Sequence, residues 1–400
     1  MKKPRLMLAG AHSGVGKTSV SAGVMSALTR RGTCVQPFKV GPDYIDPAFH
    51  TFVAGRKSRN LDSWMLSEET VRSLFCRNAP DQGAGLSIIE GVMGLFDGHT
   101  ETAAGSSAHV ASILSAPVVL VINGAAVSRS AAALVHGFDH FQPGFRLAGV
   151  IINMLSSRQH YEMLKRFIET EAQAPCFGYL SKNHEYALES RHLGLVPSAE
   201  VDRLAERLAA LAQAAAETID LDGLAALAES APAIEAAPLP PAVVSANPAR
   251  IGLALDSAFN FYYEDGLDLL IRLGAELAPF SPMKDSALPP GLSGMYIGGG
   301  FPEIFAAELA ANRPMLEAVK AALDDGMPAY AECGGLMYLC RSLTDHEGRE
   351  YEMAGFFPEK TSMTRRLQNF GYVESRFEED TVLGPAGTKI RAHEFHHSRL

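Results

Sequence analysis

Gly10-Ala-His-Ser-Gly-Val-Gly-Lys-Thr18 is the stretch from which the fold of this chain can be read. It follows the apolar run Leu6–Ala9 and precedes a helix-compatible segment reaching Arg31. Strand, glycine-rich turn and helix, in that order, make a phosphate-binding loop. Gly14 and Gly16 let backbone N–H groups approach phosphate oxygens, and the helix N-terminus adds partial positive charge. Lys17 supplies a full charge, and the Thr18 hydroxyl is of the type that ligates Mg²⁺ beside a nucleotide. The spacing has one irregularity. The usual pattern puts its first glycine where Ala11 stands, and here Gly10 precedes it by one position.

Around that loop, short apolar runs alternate with helix-like segments: Leu6–Ala9, Val35–Lys39, Leu86–Ile89, Val118–Asn123 and Leu147–Asn153. Runs this short and this apolar read as parallel strands buried on both faces. The spacing therefore predicts a doubly wound α/β domain over residues 1–229, with ligands at the C-terminal ends of its strands. A helix over Ala199–Thr218, with Leu204, Leu208 and Leu211 on one face, closes it. Residues 230–249 hold five prolines and almost no charge, which reads as a semi-rigid linker. Strand-like runs resume at Ile251–Asp256, Gly294–Gly300 and Met327–Ala331, so residues 250–400 form a second α/β domain.

Composition narrows the class of function. A formal charge of −10 opposes general attraction to nucleic acid or anionic lipid. Five cysteines without a C-x-x-C pair suit a reducing, cytoplasmic setting. No apolar run approaches the roughly twenty residues of a membrane span, and Met1-Lys-Lys-Pro leads straight into the first strand, leaving no room for a signal peptide.

Acidic residues gather at the predicted strand ends. Lys39-Val-Gly-Pro-Asp-Tyr-Ile-Asp-Pro47 puts Asp43 and Asp46 after the second strand. Glu90 ends the next, and Asp97 follows on the loop Gly91-Val-Met-Gly-Leu-Phe-Asp-Gly98. Mg²⁺ takes hard oxygen ligands, one or two carboxylates among them, which makes Thr18, Asp43 and Glu90 candidate metal ligands. Asp97 equally suits a turn or a helix cap. Asn153, ending the fifth run, has an amide able to read an adenine edge or to cap a helix. In the second domain Pro328-Ala-Tyr-Ala-Glu-Cys-Gly-Gly335 carries a strand through Cys333 into a helix. A sharp turn of this kind exposes its tip residue, and the helix N-terminus predicts a thiol of lowered pKa, so Cys333 is a candidate nucleophile. Gly334, with Gly299 and Gly300 of the upstream loop Gly298-Gly-Gly-Phe-Pro-Glu303, offers backbone N–H groups for an oxyanion hole. Cys340 reads as an inert helical cysteine.

Taken together, the phosphate loop, Lys39-Val-Gly-Pro-Asp-Tyr-Ile-Asp-Pro-Ala-Phe-His50, Asn60-Leu-Asp-Ser-Trp-Met-Leu66, Glu90-Gly-Val-Met-Gly-Leu-Phe-Asp-Gly98, Gly298-Gly-Gly-Phe-Pro-Glu303, Glu332-Cys-Gly-Gly335 and His393-Glu-Phe-His396 resemble the cobyrinic acid a,c-diamide synthase family over essentially the whole chain. The displaced glycine also resembles the loop of dethiobiotin synthetases. The resemblance implies an N-terminal ATP-dependent amide ligase with a dethiobiotin synthetase-like fold, joined to a C-terminal class I glutamine amidotransferase domain of flavodoxin-like fold. It implies amidation of the a and c acetates of cobyrinate through acyl phosphates, with Mg²⁺ as cofactor and ATP and glutamine as co-substrates. Asp43, Asp46, Glu90 and Asp97 would then surround metal, nucleotide and activated substrate, with Asp46 and Asp97 taking catalytic parts, and Tyr44 and Ile45 would contact the macrocycle. The expected partners are the corrinoid, ATP, glutamine and a second copy of the chain as a homodimer, with no nucleic acid or membrane. Hydrogenobyrinate and nickel-sirohydrochlorin remain alternative tetrapyrroles. In this family the histidine that activates the cysteine lies beyond the His393–His396 segment. His393, His396 and His397 are not assigned that role, and ammonia is expected to serve the 400-residue chain at least as well as glutamine. An enclosed path for ammonia between the domains is a further expectation. A nucleotide switch of the MinD and ParA kind is the rival of a different class, but its signature lysine position is occupied by His12.

Overall fold

The computed structural model describes residues 1–99, 102–183, 185, 198–235, 242 and 247–400. They fall into two units, the first ending before residue 240 and the second running from there to Leu400. Among the described residues no helix is long and apolar enough to cross a membrane.

In the first unit, strands β1 (Arg5–Gly10), β2 (Val35–Val40), β3 (Arg59–Leu61), β4 (Leu86–Gly94), β5 (Pro117–Asn123), β6 (Arg146–Leu155) and β7 (Cys176–Ser181) make a parallel sheet in the order β3-β2-β4-β1-β5-β6-β7. Helices α1 (Lys17–Arg30), α2 (Ile45–Ala54), α3 (Glu68–Asn78), α4 (Ser107–Leu114), α5 (Ser130–His140), α6 (Arg158–Phe167), α7 (Ser198–Thr218) and α8 (Leu221–Glu229) connect and cover it. The side-chain period of two explains why the strands are apolar throughout. On β1, Met7 and Ala9 face the core layer that holds Phe75, Val110, Val135 and Leu164. Leu6 and Leu8 face the opposite layer, with Val20, Val24, Leu28, Leu211 and Leu224. The loop leaving β1 emerges between β4 and β5, where the strand order reverses and open α/β sheets bind their ligands.

The predicted closing helix forms as α7, with Leu208 and Leu211 buried. Gly23 permits its close approach to α1: a Cβ there would meet Leu211 Cγ at 3.2 Å and Ala215 Cβ at 3.3 Å. The edge strands β3 and β7 were not foreseen from the apolar runs. Each is short or mixed in character, as an edge strand with one side in solvent allows.

The predicted linker starts too early. Residues 230–235 belong to the first unit: the backbones of Met1 and Ile234 exchange hydrogen bonds at 3.0 Å, and Arg5 Nη2 donates to Pro232 O at 2.9 Å. Ala231 and Ile234 are buried, so the low charge that reads as linker is packing surface. Of the remaining expected linker, residues 236–241 and 243–246 lie outside the described residues.

The second unit holds a parallel sheet of β8 (Ala249–Ala254), β10 (Ala275–Phe280), β11 (Gly294–Ile297) and β13 (Ala329–Ala331), ordered β10-β8-β11-β13. The run Gly294–Gly300 is two strands and not one. It breaks at Gly298, and β12 (Gly299–Gly300) pairs antiparallel with β9 (Phe259–Phe261). A Cβ at Gly298 would sit 2.6 Å from the Tyr262 ring, so glycine is required at the break. Helices α9 (Glu264–Arg272), α10 (Ala306–Ala311), α11 (Arg313–Asp324) and α12 (Gly334–Leu339) complete this layer around a core of Phe259, Ile297, Val319 and Tyr338. Cys340 follows α12 as its C-cap, fully buried, and is not a helical residue. Strands β14 (Ser342–Thr344), β15 (Glu350–Glu352), β16 (Lys360–Met363) and β19 (Ser398–Arg399) form a mixed sheet, and β17 (Asn369–Arg376) pairs with β18 (Lys389–His396) as a hairpin.

Candidate active sites in the two units

The phosphate loop is built by close approach. Gly14 and Gly16 adopt φ of 80° and 86°, left-handed values that favour glycine. Gly10 is needed for space: a Cβ there would lie 2.7 Å from Val15 Cγ1 and 2.9 Å from Lys17 Cδ. The displaced glycine therefore serves the loop that folds back over it. Asn153 is buried at the end of β6 and donates from Nδ2 to Val15 O at 2.9 Å. One of its two amide hydrogens thus holds the floor of the loop. Gly16 is the N-cap of α1, and Lys17 Nζ donates to Met93 O near the end of β4, where Met93 takes an unusual φ of 43°.

Beside the loop lies a network of buried charge. Thr18 Oγ1 donates to Glu90 Oε1 at 3.0 Å. Lys39 Nζ donates to the same oxygen at 3.0 Å, to Asp46 Oδ2 at 2.6 Å and to Gly91 O at 3.2 Å, and stands 3.7 Å from Asp43 Oδ2. His50 Nε2 meets Glu90 Oε2 at 2.7 Å, with Ser58 Oγ near its Nδ1. Lys39, His50 and Glu90 are all buried. Burial favours the neutral carboxyl, but Lys39 and His50 outweigh it and hold Glu90 well below the ordinary carboxylate range. Those same carboxylates hold Lys39 above the ordinary lysine range despite its burial. Asp46 goes the other way. Desolvation, with Glu90 and Asp43 nearby, lifts its carboxyl well above the usual range, because one lysine cannot compensate every acid around it. Lys17 is shifted down, first by burial and then by the like charge of Lys39.

Of the three expected metal ligands, Thr18 and Glu90 meet. Asp43 stands beside them at the start of α2, where its Oδ1 accepts from the N–H groups of Ile45 at 2.8 Å and Asp46 at 3.3 Å and its Oδ2 lies 3.7 Å from Lys39 Nζ. Among the described residues no three His, Cys, Asp or Glu side chains surround one point as a complete metal cage. A hydroxyl beside one carboxylate at a phosphate loop nevertheless suits Mg²⁺, which keeps waters and takes phosphate oxygens. Asp97 Oδ2 accepts from Gly94 N–H at 2.8 Å and fixes the turn after β4, close enough for its charge to act on Lys17. Tyr44 and Ile45 sit half-buried where α2 begins. Sequence reasoning assigned no part to Lys39, His50 or Asn60, although all stand in the quoted motifs. Asn60 Nδ2 pins the turn after β2 by donating to Gly41 O at 2.9 Å and Asp43 O at 2.7 Å. A lysine closing an apolar strand was the available signal.

In the second unit Cys333 sits at the tip between β13 and α12 with φ 50° and ψ −112°, a strained conformation for a non-glycine residue. A Cβ on Gly335 would lie 2.2 Å from Ile297 O, so the turn closes only on glycine. The backbone N–H groups of Gly334 and Gly300 favour the thiolate, and a Cβ on Gly299 would come within 3.3 Å of Cys333 Cβ. The three expected glycines are thus gathered at the cysteine. The expected lowering of its pKa is overturned. Desolvation, with the carboxylates of Glu303 and Glu332, pushes the thiol up, and the two N–H groups offset only part of this. A helix as short as α12 does not compensate two neighbouring anions.

Family models place both units. Residues 6–196 match the CobQ/CobB/MinD/ParA nucleotide binding domain, and residues 250–400 match the CobB/CobQ-like glutamine amidotransferase domain. The cobyrinate a,c-diamide synthase of Streptococcus sanguinis is 48% identical over 396 residues, 98% of this chain and 86% of that protein. That of Caldanaerobacter subterraneus is 45% identical over 394 residues, with the same coverage of 98% and 86%. The Priestia megaterium protein of the same name is 44% identical over 399 residues, 100% of this chain and 86% of the relative.

Proposed function

The chain belongs to the cobyrinate a,c-diamide synthase family, an ATP- and glutamine-dependent carbon–nitrogen ligase of cobalamin biosynthesis, and on that premise we propose how its residues share the reaction. The substrate is cobyrinate, and the groups amidated are its a and c acetate carboxylates. A carboxylate repels ammonia and has no adequate leaving group. Transfer of the γ-phosphoryl of ATP to a carboxylate oxygen makes an acyl phosphate, and ammonia then displaces inorganic phosphate to leave the amide.

In the first unit the N–H groups around Gly14 and Gly16, with the start of α1, hold the phosphates, and Lys17 offsets their charge. Asn153 keeps the loop in shape through Val15 O. Thr18 and Glu90 are the residues that would hold Mg²⁺, which when bound neutralises phosphate oxygens and aligns them for transfer. Lys39 and His50 orient Glu90, and Lys39 also holds Asp46 at the edge where the substrate carboxylate must arrive. Asp97 shapes the loop that Lys17 reaches, and Tyr44 and Ile45 meet the macrocycle. In the second unit Cys333 attacks the side-chain amide of glutamine, forming a thioester and releasing ammonia as the thiol proton passes to the leaving nitrogen. The N–H groups of Gly300 and Gly334, with Gly299 behind them, stabilise the oxyanion. All five cysteines are free thiols, in keeping with a cytosolic setting.

The observation that carries this reading is the Thr18–Glu90 contact at 3.0 Å beside the glycine-lined loop. Lys17→Ala is expected to lower corrinoid-dependent ATP hydrolysis on the order of 100-fold or more, as removal of one transition-state charge does elsewhere. Turnover unchanged in that variant would refute the assignment.

A further inference from the structure

We infer that Glu303 is the residue that selects glutamine by binding its α-ammonium group, an inference that rests on the reading of Cys333 as the glutamine-attacking nucleophile. Two carboxylates act on the Cys333 sulfur, those of Glu303 and Glu332. Glu332 is already satisfied: Tyr296 donates to Oε1 and Tyr330 to Oε2, both at 2.9 Å. Glu303 is not. Among the described residues no lysine, arginine or histidine forms an ion pair with it, and only its own backbone N–H offsets the burial of its carboxyl. It is half-buried on the turn Phe301–Ile304, directly after the glycine loop whose Gly300 N–H favours the thiolate. Pro302, its neighbour in the chain, packs so closely on the elbow that a Cβ at Gly334 would come within 2.8 Å of the proline Cδ. Desolvation lifts the Glu303 carboxyl to about 7, the behaviour of an acid kept from water without a cation.

An uncompensated anion beside a nucleophilic thiol is a liability unless the substrate brings the opposite charge. Glutamine does so, since four bonds separate its amide carbon from its α-ammonium nitrogen. An ammonium on Glu303 makes a charge-assisted hydrogen bond in a partly desolvated place. It also offsets one of the two negative charges that add to desolvation in holding the Cys333 thiol up, so the correct substrate eases ionisation of the sulfur that attacks it. An amide without the α-ammonium gains neither effect.

The test is alkylation of Cys333 by iodoacetamide in the full chain, followed by mass spectrometry, with L-glutamine or its des-amino analogue 4-carbamoylbutanoate as protectant. In the unaltered chain glutamine should protect at concentrations about tenfold lower than the analogue, as one partly buried charge pair predicts. In Glu303→Gln the glutamine advantage should vanish, protection by the analogue should persist, and alkylation without ligand should be at least as fast. Glu303→Asp should keep most of the preference, and it decides the matter if the glutamine variant loses protection by both ligands. A glutamine preference retained in Glu303→Gln, or slowed alkylation with preference unchanged, overturns the inference, the latter because the carboxylate then serves the sulfur. Glutamine that fails to protect the unaltered chain would instead sink the glutaminase reading of Cys333, and this inference with it.

Discussion

Asp46 is held under conditions that its ionised form does not favour. Lys39 offers it a bond of 2.6 Å, yet burial and the neighbouring acids raise its carboxyl well above the ordinary range. A raised carboxyl stabilises the fold at pH below its unfolded value, about 3.9, and that contribution is lost as pH rises through the folded value. Asp46→Asn removes the titration. Its stability relative to the parent should therefore improve as pH rises above about 4, while amidation falls. Denaturant melts at several pH values would show this, and a difference independent of pH would contradict it. Such a residue makes sense at a site where substrate carboxylates and phosphates must be received, since stability is commonly given up there. The sequence placed Asp46 at this edge, but Lys39 and His50 stood unassigned in the same motif. Their roles depend on which acid each one faces, and chain spacing does not reveal that.

At the scale of elements, the strands buried on both faces were legible because nothing else explains their unbroken apolar runs. β1, β2, β4, β5 and β6 follow the runs read from the sequence to within a few residues. Among the strands that escaped notice, β3, β7 and β10 sit at sheet edges and carry Arg59, Ser181 and Glu276, which one-sided exposure permits. Cys333 teaches a related lesson. Its elbow was visible in the glycines, but the direction of its pKa was set by Glu303 and Glu332, and the latter adjoins it in the chain without its tyrosine partners being evident. The pairing of α1 with α7 offers a direct check on packing. Leu211 is fully buried against Gly23, so Leu211→Ala should cost about 2–5 kcal/mol of stability through lost burial and a cavity. Calorimetry should show the lower melting temperature, with turnover per folded molecule nearly unchanged. A loss of turnover without a loss of stability would mean that α7 does more than close the domain.

For the whole molecule, the two units carry chemically separable half-reactions on one chain. One activates a carboxylate with ATP and the other frees ammonia from glutamine. Cys333→Ala should therefore abolish glutamine-dependent amidation, by at least about 1,000-fold for loss of a nucleophile, while amidation with added ammonium salts persists. Equal loss with both nitrogen donors would show that the cysteine serves the ligase reaction itself. The division was readable from two motif sets separated by a proline-rich stretch, although the first unit extends further into that stretch than composition suggests. Residues 230–235 are held by Met1 and Arg5, long-range partners that no local pattern announces.

The most direct test of the account follows oxygen atoms. Cobyrinate labelled with ¹⁸O in its acetate carboxylates is converted with ATP and ammonia, and the inorganic phosphate is analysed by mass. Passage through an acyl phosphate predicts one labelled oxygen in phosphate for each amide formed. Amide formation with no label reaching phosphate would contradict it.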